Sequence, residues 1–518
     1  MKNLKYWLAV AFAGQASYGF AQQVAQGYQV DALRFSQTQP SGTARTLGIG
    51  GANVAVGADL SSLVTNPAGL GLYQRSEFSF TPGLGLGNAE ATGFGTTTAD
   101  SRNSLHIASL GMAFVNRRPD SDNNAWRGGT LAIGFNRLND YNQRFRYRGQ
   151  PDPSQDILQR FNDPEISVAN AENQFSSGYR NLDGLAYGAL LTDYFYTRGQ
   201  PRDSVLGLST PFDDTKQLTQ DETVLTTGSQ TQFDVGYGAS YRDRLYVGGA
   251  IGIVSTRYNS TSTLTAAEAT PDGNTAFGSL TYRESLETRG SGINARIGAI
   301  YRFNDAIRLG ASIQTPTLMS LSETYSASLS ANFDRPVRVG NQSYTSREVS
   351  TGVTPFEYML TSPFRASGGV TAVIGKHGFL SGDVEYVNYS QARLSNDNNN
   401  DGTSGGTDFG PDNDAIRSLY QSAVNVRVGG ELRLDVFRLR AGYARYGDAY
   451  KQSDFDRTQN YYTGGAGIRQ NNFFLDVAGV YGTNKRFYSP YTLSTNNTPV
   501  VKVDGTRFTT TVTAGFLF

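Results

Sequence analysis

The last twelve residues, Arg507–Phe518, alternate between two chemistries. Phe508, Thr510, Val512, Ala514, Phe516 and Phe518 fall on one face; Arg507, Thr509, Thr511, Thr513, Gly515 and Leu517 fall on the other. A period of two marks a β-strand with unlike faces. The same alternation recurs in 233–241, 293–303, 424–434 and 437–443. Charged residues, among them Asp234, Arg296, Arg427, Glu431, Arg438 and Arg440, keep to one face of these segments. In a wall that faces lipid they must point into the lumen, because a midplane Arg or Lys on the lipid side costs about 2–4 kcal/mol. Arg308, Asp383, Glu385, Arg433 and Asp476 join this lumen set, whose mixed signs predict pairing with one another.

The start of the chain agrees with export. Lys2 and Lys5 precede an apolar stretch from Trp7 to Phe12, and Gly19-Phe20-Ala21 offers a cleavage site before Gln22, so 1–21 reads as a signal peptide. Beyond it no apolar run approaches the ~18 residues of a membrane-spanning helix. The remaining chain is then a soluble β-protein or a barrel. A propeller would need a repeat of about 40–50 residues, which is absent. Abundant Gly (59), Tyr (30) and Phe (29) suit a barrel's bends and interfacial girdles. No cysteine means no disulfide or thiolate site, and zero net charge removes the basic surplus of a nucleic-acid binder.

Loop lengths then give the topology. Strands are predicted near 75–86, 103–116, 129–147, 230–242, 244–259, 279–303, 306–329, 365–375, 378–392, 417–434, 436–446, 461–470, 472–483 and 506–518. Tight connections at Arg242-Asp243, Asn304-Asp305, Gly375–His377, Asp435 and Gln470-Asn471 alternate with long ones, the longest being 148–229. This is the asymmetry of short periplasmic turns and long external loops. Only the connection from Arg117 to Gly128 is longer than a periplasmic turn should be. The expected fold is all-β: a 14-stranded antiparallel transmembrane β-barrel over 75–518, preceded by a non-strand segment, 22–74.

That segment contains Gly48-Ile49-Gly50-Gly51-Ala52-Asn53-Val54-Ala55-Val56 and then Asn66-Pro67-Ala68-Gly69-Leu70. It resembles the N-terminal hatch of the FadL/OmpP1/toluene-transport family of outer-membrane channels for hydrophobic compounds. Gly290–Thr317 is similar to the middle of those proteins, and Phe356–Tyr389 to their Bacteroidetes branch. The resemblance implies a plug at 22–74, with Asn66, Pro67 and Ala68 at its turn. It also implies passive uptake of long-chain fatty acids or aromatic hydrocarbons in the outer membrane of a Gram-negative bacterium. The path it implies leads through an external groove and a lumen pocket to a lateral exit at a kink in the third strand, here within Leu131–Asp140. The implied partners are hydrophobic small molecules, outer-membrane lipids and the barrel-assembly machinery, with the chain a monomer. The same fold serves protein-binding shuttles of type IX secretion, which stands as the alternative. Physically, Pro67 fixes its own φ and holds Asn66 extended, while the Asn66 amide can bond nearby backbone groups.

Candidate substrate contacts lie in the long loops. Asp156–Phe161, Val168–Phe175 and Leu182–Phe195 have helical spacing, and Leu182, Leu185, Leu190 and Phe195 form an apolar face. They line a groove or pack the loop onto the barrel rim. Phe356 and Tyr358 in 330–364 are the second group. Asp397, Asn399, Asp401 and Asp408 match the spacing of a calcium loop with Gly402 at its bend, although an Asn/Asp/Gly external loop has the same composition. No cofactor is otherwise required. Ser104 near His106 is a poor nucleophile–base candidate, and the chain reads as a transporter, not an enzyme.

Overall fold

The computed structural model describes residues 27–119, 121–162, 179, 181–196, 204–209, 212, 217–271, 275–396, 408–453, 456–493 and 497–518. The signal-peptide residues 1–21, the 168–175 segment and the calcium candidates Asp397, Asn399 and Asp401 lie outside them. The described chain opens with two short helices, α1 (Gln29–Arg34) and α2 (Ala44–Gly48), followed by 3-10 turns at Leu60–Leu63 and Pro67–Leu72. The wall then begins.

Among the described residues the wall has fourteen strands, as the loop lengths predicted. They are β1 (Glu77–Gly93), β2 (Thr96–Arg117), β3 (Trp126–Asp140, continued by Gln143–Gly149), β4 (Leu218–Tyr241), β5 (Leu245–Glu268) and β6 (Phe277–Arg302). Next come β7 (Ile307–Gln314, continued by Leu318–Val339), β8 (Thr354–Thr361, continued by Arg365–Ile374), β9 (Gly378–Asn388) and β10 (Ser422–Leu434). The last are β11 (Phe437–Tyr446), β12 (Gln459–Gln470), β13 (Phe473–Tyr488) and β14 (Val501–Leu517). Each pairs antiparallel with its neighbours, and β14 closes on β1 from Glu77↔Leu517 to Thr92↔Lys502.

Outward positions carry exposed Phe78, Phe80, Ile251, Ile253, Ile293, Ile297, Val426 and Val428, the belt that a bilayer covers. Inward positions bury Asp234, Arg296, Asp383, Glu385, Arg427, Glu431, Arg440 and Asp476. The periplasmic turns are tight because Arg242, Asp243, Asp435 and Asn471 adopt left-handed φ of 50–54°. The longer Arg117–Gly128 connection is tied down instead: Arg117 makes a two-pronged bond to Asp243 at 2.8–2.9 Å.

Three features depart from the simple pattern. β3 breaks at Tyr141-Asn142, and β7 breaks at Thr315-Pro316-Thr317, where proline cannot donate to the ladder. Residues 417–419, expected as the start of β10, belong to a helix. β4, β5 and β6 run for 24, 24 and 26 residues, far beyond the ~9–11 that a bilayer needs. Their outer halves share an apolar core with helices α3 (Ile157–Asn162) and α4 (Leu182–Gly188), while α5 (Gly410–Leu419) packs against α1 and the 389–395 segment.

The N-terminal segment lies inside the barrel with its backbone against the wall. Gly238, Gly248 and Gly298 face one another across β4, β5 and β6. A Cβ at Gly248 would stand 2.4 Å from the Pro67 carbonyl oxygen, so only glycine admits this approach. Gly429 and Gly442, paired across β10 and β11, make a second seat: a Cβ at Gly429 would stand 2.2 Å from the Ile49 carbonyl oxygen.

Candidate functional site

Asn66, Pro67 and Ala68 form the start of the second 3-10 turn. Asn66 Oδ1 accepts from the Ala68 N–H at 3.1 Å, and its Nδ2 donates to the carbonyls of Val54 at 2.7 Å and Ala299 at 3.2 Å. One fully buried amide thus caps its own turn, holds the preceding loop and touches the wall. Asp59 braces the segment internally, accepting from Thr43 Oγ1 and from the Ser61 N–H at 2.8 Å. Lumen charges complete the anchoring. Arg296 donates to the Leu63 carbonyl at 2.8 Å and Asp383 accepts from the Val54 N–H at 2.9 Å. Others pair among themselves: Arg440 reaches Glu431 at 2.8 Å and Asp476 at 2.6 Å, and Glu385 takes Arg365 at 3.0 Å and Arg427 at 3.3 Å.

Above this segment the lumen holds a cavity of about 510 Å³. Its apolar lining includes Val30, Leu33, Tyr141, Phe145, Val224, Tyr258, Tyr450 and Tyr488. Its charged lining has five cationic side chains (Arg34, Arg457, Lys485, Arg486 and Arg507) against two carboxylates (Asp140 and Asp448). Arg34 comes from α1, bonds Asp31 and lies 4.1 Å from the centre of the Tyr258 ring. Asp448, in the loop between β11 and β12, has its carboxyl raised by burial, opposed by the Tyr450 N–H that it accepts at 2.8 Å. A volume of several hundred Å³ with apolar walls and a few polar groups is the usual form of a small-molecule site.

The sequence-predicted substrate residues lie elsewhere and in two separate bodies. Leu185 is fully buried in an apolar core with Phe161, Phe277 and Leu329, against which Leu182 and Leu190 pack. This core joins the 148–229 loop to the tops of β4 to β7. The Phe195 side chain lies outside the described residues. Phe356 and Tyr358 surround Tyr28 at ring-centre distances of 5.0 and 4.9 Å, and the Tyr358 hydroxyl donates to Asp31 at 2.5 Å. None of these five described residues lines the large cavity. Asp408 accepts from the Gly410 N–H at 2.8 Å, at the start of α5.

Beside the cavity the wall is interrupted. The β2–β3 ladder runs only from Arg117↔Gly128 to Ser109↔Asn136. From there β2 continues paired to β1 alone, while β3 and its continuation pair with β4 alone. The free edge of β3 is bound from inside by the N-terminal segment. The Gln39 N–H donates to the Leu138 carbonyl at 3.0 Å, and Gln39 Oε1 accepts from the Asp140 N–H at 3.2 Å. Asn139 Nδ2 reaches the Gln37 carbonyl at 3.3 Å. The family resemblance implies a kink somewhere within Leu131–Asp140; here pairing to β2 stops after Asn136 and the strand breaks after Asp140. Ser104 Oγ, the weak nucleophile candidate, donates to Asp140 Oδ2 at 3.2 Å.

No protein-family model and no curated protein sequence matches the chain. Solved structures do. The Ralstonia pickettii toluene transporter TbuX is 14% identical over 92% of this chain and 99% of that one, with a TM-score of 0.50. A deltaS2 mutant of the TodX monoaromatic hydrocarbon channel is 12% identical over 92% of this chain and 98% of that one, also at 0.50. A Pseudomonas aeruginosa FadL homologue is 11% identical over 92% and 98%, at 0.48. The likeness to TbuX runs the length of both chains, and this protein shares the β-barrel fold of that structure.

Proposed function

We propose that this protein is an outer-membrane channel for the passive entry of hydrophobic compounds, long-chain fatty acids or aromatic hydrocarbons. One observation carries the reading: a roomy, partly apolar lumen cavity lies directly beside a stretch of wall with no strand ladder. Residues 27–74 act as a hatch below that cavity and block axial escape, so the solute leaves sideways between β2 and β3. Lateral exit is downhill, since transfer from water to hydrocarbon gains about 25 cal/mol per Å² of apolar surface. The shared fold of the toluene transporter TbuX supports the reading.

The test is uptake of a radiolabelled long-chain fatty acid, and separately of toluene, into cells expressing the wild type or an Asn66→Ala, Pro67→Gly variant. Barrel-dependent uptake that changes with the variant is the expected result. Normal surface expression with no uptake of either solute would overturn the channel reading and favour a protein-binding barrel.

A further inference from the structure

The interrupted stretch of wall is lined with charge. A second cavity of about 70 Å³ lies on the lumen side of this stretch, lined by the end of β3, inward residues of β2, β12, β13 and β14, and the N-terminal segment. It shares Gln39, Asn139, Asp140, Tyr461, Gly482 and Arg507 with the large cavity, so Asp140 and Arg507 stand at the junction of the two. Asp140 accepts from Arg507 Nη1 at 2.7 Å and pairs with Arg137 Nη2 at 3.0 Å.

The two arginines start from opposite register positions of the wall. Arg507 occupies an inward position of β14, in the same alternation as buried Thr511 and Thr513. Arg137 pairs with Thr231, in the same alternation as the outward Phe233 and Val235, so its register position faces lipid. Its side chain nevertheless folds into the small cavity and is only 9% exposed. Asp140 thus bridges two guanidiniums on the lumen side of the gap, one from an inward and one from an outward register position. One carboxylate between two cations leaves a positive surplus, and His106 across the cavity supplies no second anion. Arg137 Nε and Nη1 and His106 Nδ1 have no hydrogen-bond partner among the described residues. A buried guanidinium with free donors is costly unless an anion completes it.

We propose that Arg137 and Arg507 form a transit site for the carboxylate of an amphiphile, and that Asp140 is the internal carboxylate holding that site between passages. The proposal rests on the channel reading and names its substrate class. An arriving carboxylate takes over the Arg507 contact, then the free donors of Arg137 beside the gap, while its tail enters the bilayer past the outward Leu105 of β2, which is 83% exposed. An uncharged molecule of equal apolar area must part the same ion pairs with nothing to offer the arginines.

The experiment compares uptake of radiolabelled oleate with that of oleyl alcohol, at equal surface amounts of the full-length barrel. Wild type is expected to favour the acid. Arg137→Gln is expected to lower the acid-to-alcohol ratio about tenfold, the worth of one charge-assisted hydrogen bond, and Arg137→Lys to recover part of it. Asp140→Asn, which removes the internal competitor, is expected to raise the ratio. The opposite direction separates selection from general damage, and thermal unfolding of each purified variant checks assembly. Acid and alcohol falling together in Arg137→Gln, or a ratio unmoved in both variants, would overturn the transit site while leaving the channel standing. No uptake of either compound by wild type above an empty-vector control would overturn the channel reading and the transit site with it.

Discussion

The wall of this barrel holds its N-terminal segment in two different ways. Across β4 to β6 and again across β10 and β11, glycines let the Pro67 and Ile49 backbones lie directly on the strands. Beyond Ser109↔Asn136 β2 and β3 have no ladder, and there the contact is made by Gln39 with its backbone N–H and its amide. A seat of backbone on backbone has no adjustable part, because any Cβ collides with atoms that cannot rotate away. A stitch of side-chain hydrogen bonds can open and close at small cost. The difference separates a segment seated on the wall without adjustable parts from one held by hydrogen bonds in the same molecule.

The largest effect is expected where the seat is reinforced by charge. Arg440, Glu431 and Asp476 are nearly inaccessible, with side-chain exposures of 2–3%, and Arg45 of α2 lies 3.7 Å from Glu431. Arg440→Leu leaves buried Asp476 without its partner, while Glu431 keeps Arg433 at 2.9 Å, and breaking such a buried pair costs about 3–5 kcal/mol. Denaturant unfolding of the purified barrel measures it; a loss below about 1 kcal/mol would mean that water reaches these groups and that the seat is looser than its geometry.

Gly248→Val tests the seat without touching charge. Overpacking costs about 1–3 kcal/mol in general. Here the collision is with the Pro67 carbonyl, so the strain falls on the N-terminal segment and not on the ladder. The barrel is expected to form, with 27–74 newly open to protease from the periplasmic side and a raised ion conductance in planar bilayers. Unchanged protection and conductance would show that the segment shifts freely, and the contrast between seat and stitch would fail.

Much of this contrast could be read in the sequence, but unevenly. Period-two alternation located the wall because inward Asp234 and Arg296 and outward Phe233 and Ile297 report on two solvents. Asn66-Pro67 was legible because a proline after an amide has few conformations. The loop leucines 182, 185 and 190 were legible as an apolar face, yet the groove and rim-packing readings predict the same spacing. Helix α5 was not legible: Ile416 is its only buried residue, too little for a periodic signal. The cavity was hidden for a different reason, since Arg34, Tyr258, Tyr450 and Arg486 come from four distant parts of the chain. Arg137 did carry a signal, a cation at an outward position within the expected kink, where an ordinary lipid-facing strand would exclude it.

The smallest effect should come from Gln39→Ala. The backbone bond from residue 39 to the Leu138 carbonyl survives this change, and only the amide contacts to the Asp140 backbone, at 3.2 and 3.4 Å, are lost. Each such bond is worth about 0.5–1.5 kcal/mol at most, and Asp140 keeps both arginines. Global unfolding is therefore expected to be unchanged, while amide exchange at Asp140 and Asn142 accelerates and solute uptake rises modestly. Gln39→Pro removes the backbone donor as well and should extend the faster exchange along the free edge of β3. If both variants exchange and transport as wild type does, the edge is held by the Asp140 ion pairs alone, and the movable part of the wall is the arginine site rather than the stitch beneath it.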